Sequence, residues 1–424
     1  MNPASANSRW RENWQVFFAT ALSYFFLSGS TFTSLGVVLF TMASDLHWSM
    51  TAAGFCFSLL GIACGVASPL PALVIKRIGG RATMVVGTAM LCCGFFLASR
   101  TEAIETFYVA MVLLGAGYSF AGNVPGVYLI AARFIHGAPR VIGLYFMIGA
   151  AGSAIGPLVV QSIVSMSSWH SLWEVMAYSS AALGVLCLAL VRDVNAAGAA
   201  QAETAASVRP PEVKWTPRAA ILTWQFIVVA AAQTMTTACL FTDNSIMVAH
   251  LVHLGSPQSQ GAVILSTIAL AGMVVKGAAG RLCEGMRPTH VAALGLALQA
   301  VSNFLLANAA TAALQFSGAI VFGTGWGLTY VGATIVLLNY FGRDTGARIL
   351  SVVWMITTIA AVGPIAAGIL ADNLGTMAAI FQVYGAILIV LVPVFAMMKA
   401  PEQGADQLRG KSLAISDAPF SNKL

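Results

Sequence analysis

The stretch AVILSTIALAGMVVKGAAG, residues 262–280, contains one charge, Lys276, and the next is Arg281. Nineteen helical residues rise about 28 Å, close to the thickness of a bilayer's hydrocarbon core. The stretch therefore reads as a membrane-spanning helix. A charged side chain at that depth costs roughly 2.5–3.5 kcal/mol on insertion scales, so it tends to face a cavity and mark a substrate or ion path. A lone cation there points to a protein that handles anions. The competing reading is snorkelling: Lys276 lies about one turn from the end of the run, and its stem can carry the ammonium to water.

Similar runs recur along the whole chain. Of its 424 residues, 58% are hydrophobic and 8% charged, whereas a soluble domain has about 25% charged residues. Twelve runs are long enough to cross a bilayer: 14–39, 51–74, 82–99, 106–132, 141–166, 172–191, 219–245, 258–280, 289–307, 312–338, 346–370 and 376–398. The expected fold is an all-α integral membrane protein of twelve transmembrane helices.

The net charge of +6 does not indicate nucleic-acid binding, because its placement follows the predicted spans. Nineteen cations fall on the side of the termini, and only Arg100 falls on the other. That asymmetry predicts both termini in the cytoplasm. Trp10, Trp14, Trp48, Trp169, Trp173, Trp215 and Trp224 lie near predicted span ends, as interfacial tryptophans do. The first run follows Arg9 and Arg11 directly and is too long for a cleavable signal. Six of seven cysteines lie in spans, Cys283 lies just beyond one, and there is no CxxC. Neither a disulfide framework nor a metal site is expected, and no histidine makes metal-ligand spacing. No cofactor is expected either: Gly115-Ala-Gly117 lies inside a hydrophobic span, and no long soluble segment could house an ATPase.

One long polar interruption divides the chain. The expected organisation is a six-helix half at 1–191, a cytoplasmic linker at 192–217, a second six-helix half at 218–398 and a cytoplasmic tail at 399–424. The halves echo each other at an offset of 207 or 208 residues. Ser49, Gly54, Gly65 and Gly156-Pro157 match Ser256, Gly261, Gly272 and Gly363-Pro364; Gly115-Ala-Gly117-Tyr118 matches Gly323-Thr-Gly325-Trp326. A parallel duplication of this kind predicts two pseudo-symmetric halves with a site between them, near the midplane. Gly61/Gly65 and Gly152/Gly156 are spaced for close helix packing. Gly-Pro at 156–157 and 363–364 should bend spans five and eleven.

With these features the chain resembles the major facilitator superfamily over nearly its full length. Lys76-Arg77-Ile78-Gly79-Gly80-Arg81 looks like that family's signature loop Asp-Arg-x-Gly-x-Arg, with Lys76 where the motif has its acid. Within the superfamily the chain is similar to the branch of monocarboxylate transporters and oxalate/formate antiporters. Leu46-His47-Trp48-Ser49 looks like that branch's turn after span one. Lys276-Gly-Ala-Ala-Gly280-Arg-Leu-Cys-Glu284 looks like its Arg-x-x-x-Gly-x-x-x-Asp. The resemblance puts Lys276 where the branch's arginine binds the substrate carboxylate. Gly272 stands where animal members carry an aspartate, and Ser351–Leu370 lacks the second cation of oxalate exchangers. One cation favours a single carboxylate over a dicarboxylate. The resemblance also implies that spans one, four, seven and ten line the cavity, with five, eight and eleven contributing.

Other site candidates follow from polar or aromatic residues at depth, each with a plainer reading. Asp243 is the acid well inside a span, near Thr236, Thr237 and Asn244; it either carries a coupling proton or caps a helix that ends there. Trp326 and Tyr330 are one turn apart in span ten, as are Trp354 and Thr358 in span eleven; they either wall a pocket or fill space between helices. Asn123 is a central polar group in span four. Tyr24, Ser28 and Thr31 form a stripe in span one. His250 and His253 read as loop histidines at the outer end of span seven. Lys276 is also a candidate proton carrier, because lysine, unlike arginine, can release its proton when buried.

The expectation is a non-enzymatic secondary transporter of the bacterial inner membrane, monomeric, moving a small organic monocarboxylate with a proton by alternating access. A proton-coupled drug or metabolite exporter and a non-transporting membrane sensor are the alternatives. Gly149–Pro157 has some likeness to the span-five motif of exporters but lacks the glycine pair that follows its proline.

Overall fold

The computed structural model describes residues 3–134, 138–193 and 215–401, without the side chains of 3–12, 138–140, 343–344, 346–348 and 351. Most of the expected linker and tail lie outside the described residues, with Arg209, Lys214, Arg409, Lys411 and Lys423. Among the described residues, twelve helical spans are long and apolar enough to cross a membrane: Asn13–Asp45, Met50–Ala67, Leu70–Ser99, Ile104–Arg133, Val141–Met166, Trp169–Leu190, Trp224–His253, Gln258–Gly285, Pro288–Ala307, Ala312–Phe341, Val352–Leu374 and Ala378–Ala396. These are called spans one to twelve below. No strand occurs among the described residues.

The backbone departs from helix at four informative places. Span one breaks at Thr31 (φ −104°, ψ −103°), where the hydroxyls of Thr33 and Ser34 take up the carbonyls of Ser28 and Gly29. Span four breaks at Gly122 (φ −96°, ψ −128°), whose carbonyl accepts a hydrogen bond from the Tyr145 hydroxyl at 3.1 Å. At Thr31 side-chain hydroxyls thus serve carbonyls at the break, while the Gly122 carbonyl keeps its Gly126 N–H partner at 3.2 Å and gains the Tyr145 hydroxyl, as broken helices at membrane depth require. Span eleven passes through a 3₁₀ turn, Thr358–Val362, just before Gly363-Pro364. The fourth place is Gly79 (φ 86°, ψ 166°) in the signature loop, where two helical pieces meet. By contrast the helix Ala138–Met166 runs on through Pro157.

In the signature loop Arg81 is tied to the end of span six. Arg81 N–H donates to the Asp193 carboxylate at 2.9 Å, and the Arg81 guanidinium donates to the Leu188 carbonyl. Asp193 therefore supplies an acid to a loop that has Lys76 in the motif's acidic position.

Glycine contacts recur at the repeat spacing. A Cβ on Gly115 would strike Leu60, Ala63 and Cys64; one on Gly323 would strike Ile268, Ala271 and Gly272, each 208 residues later. Close helix approach at small residues also joins the first six spans to the last six. Gly36 abuts the Asn244 carbonyl, Gly54 abuts that of Pro364, and Gly61 and Gly65 abut Ala361 and Thr358. Gly152 and Gly156 instead pack against Phe25 and Gly29 of span one.

All hydrogen bonds between the two sets of spans, among the described residues, lie toward the face opposite the chain ends. Gln258 donates to Thr41 Oγ1 at 2.8 Å and to the Val37 carbonyl, and Ile365 N–H donates to Ser58 Oγ. Asp372 accepts from Met50 N–H at 3.2 Å, Thr51 N–H at 2.8 Å and the Thr51 hydroxyl at 2.5 Å. It caps span two from across the seam. Toward the chain ends, no hydrogen bond among the described residues joins the two sets of spans. The structure is closed at one face and parted at the other.

A helix cap is worth about 1 kcal/mol, so Asp372→Ala should favour opening of the sealed face by roughly fivefold. The labelling rate of a cysteine at Ala53, buried beside the seam, reads this in a cysteine-free background. An unchanged rate would mean that the cap does not hold the face shut.

Trp169 and Trp173 lie in the first turn of span six, near a span end as expected, but they face protein. Both are buried, the first donating to Asp45 Oδ2 at 3.0 Å and the second to Met42 Sδ at 3.3 Å. Indole N–H groups need partners when buried, and the C-terminal end of span one provides them.

Candidate functional site

Lys276 lies on span eight, on the parted side of the seam. Its Nζ sits 3.3 Å from the ring centroid of Trp326 and 4.5 Å from that of Tyr330. Both rings come from span ten, one helical turn apart, so a single face presents them. Trp354 of span eleven extends the wall, its ring 5.4 Å from Tyr330. Lys276 is half-buried and has no hydrogen bond or ion pair among the described residues. The ammonium rests on two aromatic faces. Cation–π contact holds the charge in place and leaves its ionic valence unfilled.

Gly272 accounts for the platform. A Cβ at 272 would lie 2.5 Å from Trp326 Cε3, so the indole occupies the space that a side chain there would need. The absent aspartate and the present tryptophan are one structural fact.

The opposing wall comes from the first six spans. Asn123, exposed just after the span-four break, interacts with the Tyr24 hydroxyl, as do Ser28 and Tyr118. Tyr24 stacks on Tyr145 at 4.7 Å and also interacts electrostatically with Tyr330 across the seam. Behind this layer, toward the sealed face, Phe32 stacks on Phe241 at 5.1 Å, and Phe57 and Tyr118 pack against Phe32. The site therefore has a cationic aromatic side, a hydroxyl-rich side and an aromatic layer behind them.

Of the residues singled out in the sequence, the structure groups Lys276, Trp326, Tyr330 and Trp354, with Asn123 on the facing wall. Thr358 packs on Gly65 in the seam. Tyr118 was read only as a repeat match, although its repeat partner Trp326 signals its position. Thr31 lies at the span-one break and bonds the Leu27 carbonyl of its own helix.

Asp243 stands apart. Span seven neither ends nor breaks at Asp243-Asn244; it continues to His253. Asp243 is 1% exposed, and among the described residues neither carboxylate oxygen has a hydrogen-bond partner. Cys239, one turn earlier on span seven, and Tyr384 of span twelve lie near it, and Cys239 also reaches Asn303. His250 is no loop histidine either: it is buried, with Nε2 2.9 Å from the Leu306 carbonyl. His253 is exposed.

Residues 17–362 match the family model of the Major Facilitator Superfamily. The chain belongs to the major facilitator superfamily. It is a membrane transporter rather than an enzyme. Monocarboxylate transporter 3 of Rattus norvegicus is 23% identical over 336 residues, covering 77% of this chain and 67% of that protein. Monocarboxylate transporter 4 of the same species is 23% identical over 329 residues, covering 75% and 68%. The crystal structure of the nucleoside transporter NupG aligns with a TM-score of 0.71 at 15% identity, over 91% of this chain and 98% of that one; at that identity the likeness is one of fold.

Proposed function

We propose that this transporter moves a small organic monocarboxylate together with a proton across the bacterial inner membrane, with both termini in the cytoplasm. The observation that carries the reading is the Lys276 ammonium, braced by Trp326 and Tyr330 and without an acid partner among the described residues. A carboxylate entering from the parted side completes that ion pair, and Trp354 and Asn123 bound the space for its organic part. One cation matches one carboxylate. The two relatives named as monocarboxylate transporters support the same substrate class.

For the proton, Asp243 and Lys276 are the candidates. An ionised carboxylate buried without a partner is costly, and a proton on either oxygen removes that cost. The halves 1–191 and 218–398, acting as a monomer, rock about the small-residue seam. The Asp372 cap and the Phe32–Phe241 floor close the outer face while the inner face is parted.

The test is proton entry into proteoliposomes of the purified protein, read by a trapped pH dye. Lactate, pyruvate, benzoate, hydroxybenzoate and oxalate are added in turn, and flux in protein-free vesicles is subtracted. Protein-dependent inward proton flux with a monocarboxylate and none with oxalate is the expected result. Outward proton movement would favour an exporter, and no flux with any acid would overturn the reading.

Trp326→Leu removes the platform while keeping bulk in span ten. A desolvated cation–π contact is worth about 2 kcal/mol, so KM for the transported acid should rise roughly tenfold or more. An unchanged KM would reduce the ring to packing.

A further inference from the structure

At the parted face, the last six spans hold a cleft of about 360 Å³, away from the Lys276 cavity. It lies where spans nine, ten and twelve come together, lined by Arg287, Thr289, Asn339, Tyr340, Lys399 and Ala400 among others, with no acid among its lining residues. Arg287 and Lys399 are exposed, and neither side chain has a hydrogen bond or ion pair among the described residues. Arg287 lies near the Tyr340 hydroxyl, which donates to the Met398 carbonyl at 2.9 Å. The N-terminus of span nine, with Arg287 as its cap residue, opens into the same space.

The first six spans offer an internal comparison. There the matching junction, between the part of span three that follows the Gly79 kink and the end of span six, is filled by a carboxylate: Asp193 accepts from Arg81 N–H. The repeat offset of 207 residues carries Arg81 to Pro288 and Asp193 to Ala400. The second junction thus has cations, a helix N-terminus and room, but an alanine in place of the acid.

We infer that this cleft binds the phosphate headgroup of an anionic phospholipid from the leaflet on the face of the chain ends. Two cations and a helix N-terminus suit a phosphate, and basic pockets between membrane helices are sites for such headgroups. A lipid fits better than free phosphate because the flanks are apolar. Met286, next to Arg287, is 48% exposed, and Met397, two residues before Lys399, is 72% exposed. Together they give an acyl chain a path from the cleft to the bilayer.

Native mass spectrometry of the detergent-purified protein tests this, with phosphatidylglycerol, phosphatidylcholine and inorganic phosphate titrated separately. The expected result is selective retention of phosphatidylglycerol over phosphatidylcholine. Arg287→Gln/Lys399→Gln should weaken that retention at least about tenfold. Ala400→Asp supplies the carboxylate of the other junction while keeping both cations, and it should displace phosphatidylglycerol to a similar degree. Equal retention of the two lipids, or undiminished retention by both variants, would overturn the inference. Binding of inorganic phosphate without lipid selectivity would overturn the lipid assignment.

Discussion

Lys276→Met should lower kcat/KM for the transported carboxylate by at least about a hundredfold. Methionine keeps most of the lysine's volume and packs well on aromatic rings, so Trp326 and Tyr330 retain a neighbour and the helices need not shift. The loss is the charge. Burying a carboxylate without a counter-ion costs about 3–5 kcal/mol, equivalent to a factor of 10² or more in a transport step that requires it. If Lys276 merely reached for water from the end of span eight, the same change would alter transport less than about threefold, since removing an exposed charge usually costs under 1 kcal/mol. Uptake of labelled substrate into proteoliposomes separates the two outcomes. Lys276→Arg then divides the roles of the ammonium. Arginine keeps the charge and stacks on the rings, but it does not release a proton. If Lys276 carries the coupling proton, this variant should still exchange anion for anion while losing net proton-driven uptake. If coupled uptake survives intact, the proton travels elsewhere.

The sequence made Lys276 conspicuous for a simple reason: a cation inside hydrocarbon is rare and costly, so one residue carries the signal. The twelve spans were legible on the same grounds, because length and apolarity are local properties. What surrounds Lys276 was less legible. Trp326 and Tyr330 share a face by helical spacing, but that the face meets span eight depends on glycine contacts such as Gly323 on Ile268. That Gly272 is empty for the sake of an indole is a fact of three dimensions. Breaks at Thr31 and Gly122 were hidden because their compensation comes from distant or hydroxyl groups, Tyr145 among them. The end of span seven was misplaced for a related reason. Asp243, Asn244 and His250 look like the polar close of a helix, yet packing inside the protein lets the helix continue, with His250 bonded to the Leu306 carbonyl. Pattern readings price a polar residue against lipid, whereas these residues face protein.

Asp243→Asn should abolish proton-driven accumulation, by tenfold or more, while leaving substrate exchange largely intact. Asparagine is nearly the same size and stays neutral at every pH, so it imitates a permanently protonated carboxyl. The substitution removes no hydrogen bond, because among the described residues neither oxygen of Asp243 has a partner; folding and expression should therefore be little affected. A carrier fixed in the protonated form can still shuttle loaded in both directions, which is all that exchange requires. It cannot release the proton and return empty, so net uptake and its dependence on the pH gradient should both fail. The placement supplies a route from proton to gate. Asp243 adjoins Asn244, whose backbone carbonyl abuts Gly36 of span one in the sealed seam, and Tyr384, which lies near Asp243, hydrogen-bonds Thr242 at 3.0 Å. A charge appearing at 243 must be met by water or by movement of span seven, and span seven is one side of that seal. Wild-type pH dependence in Asp243→Asn would remove this residue from the coupling mechanism and leave Lys276 to carry both the anion and its proton.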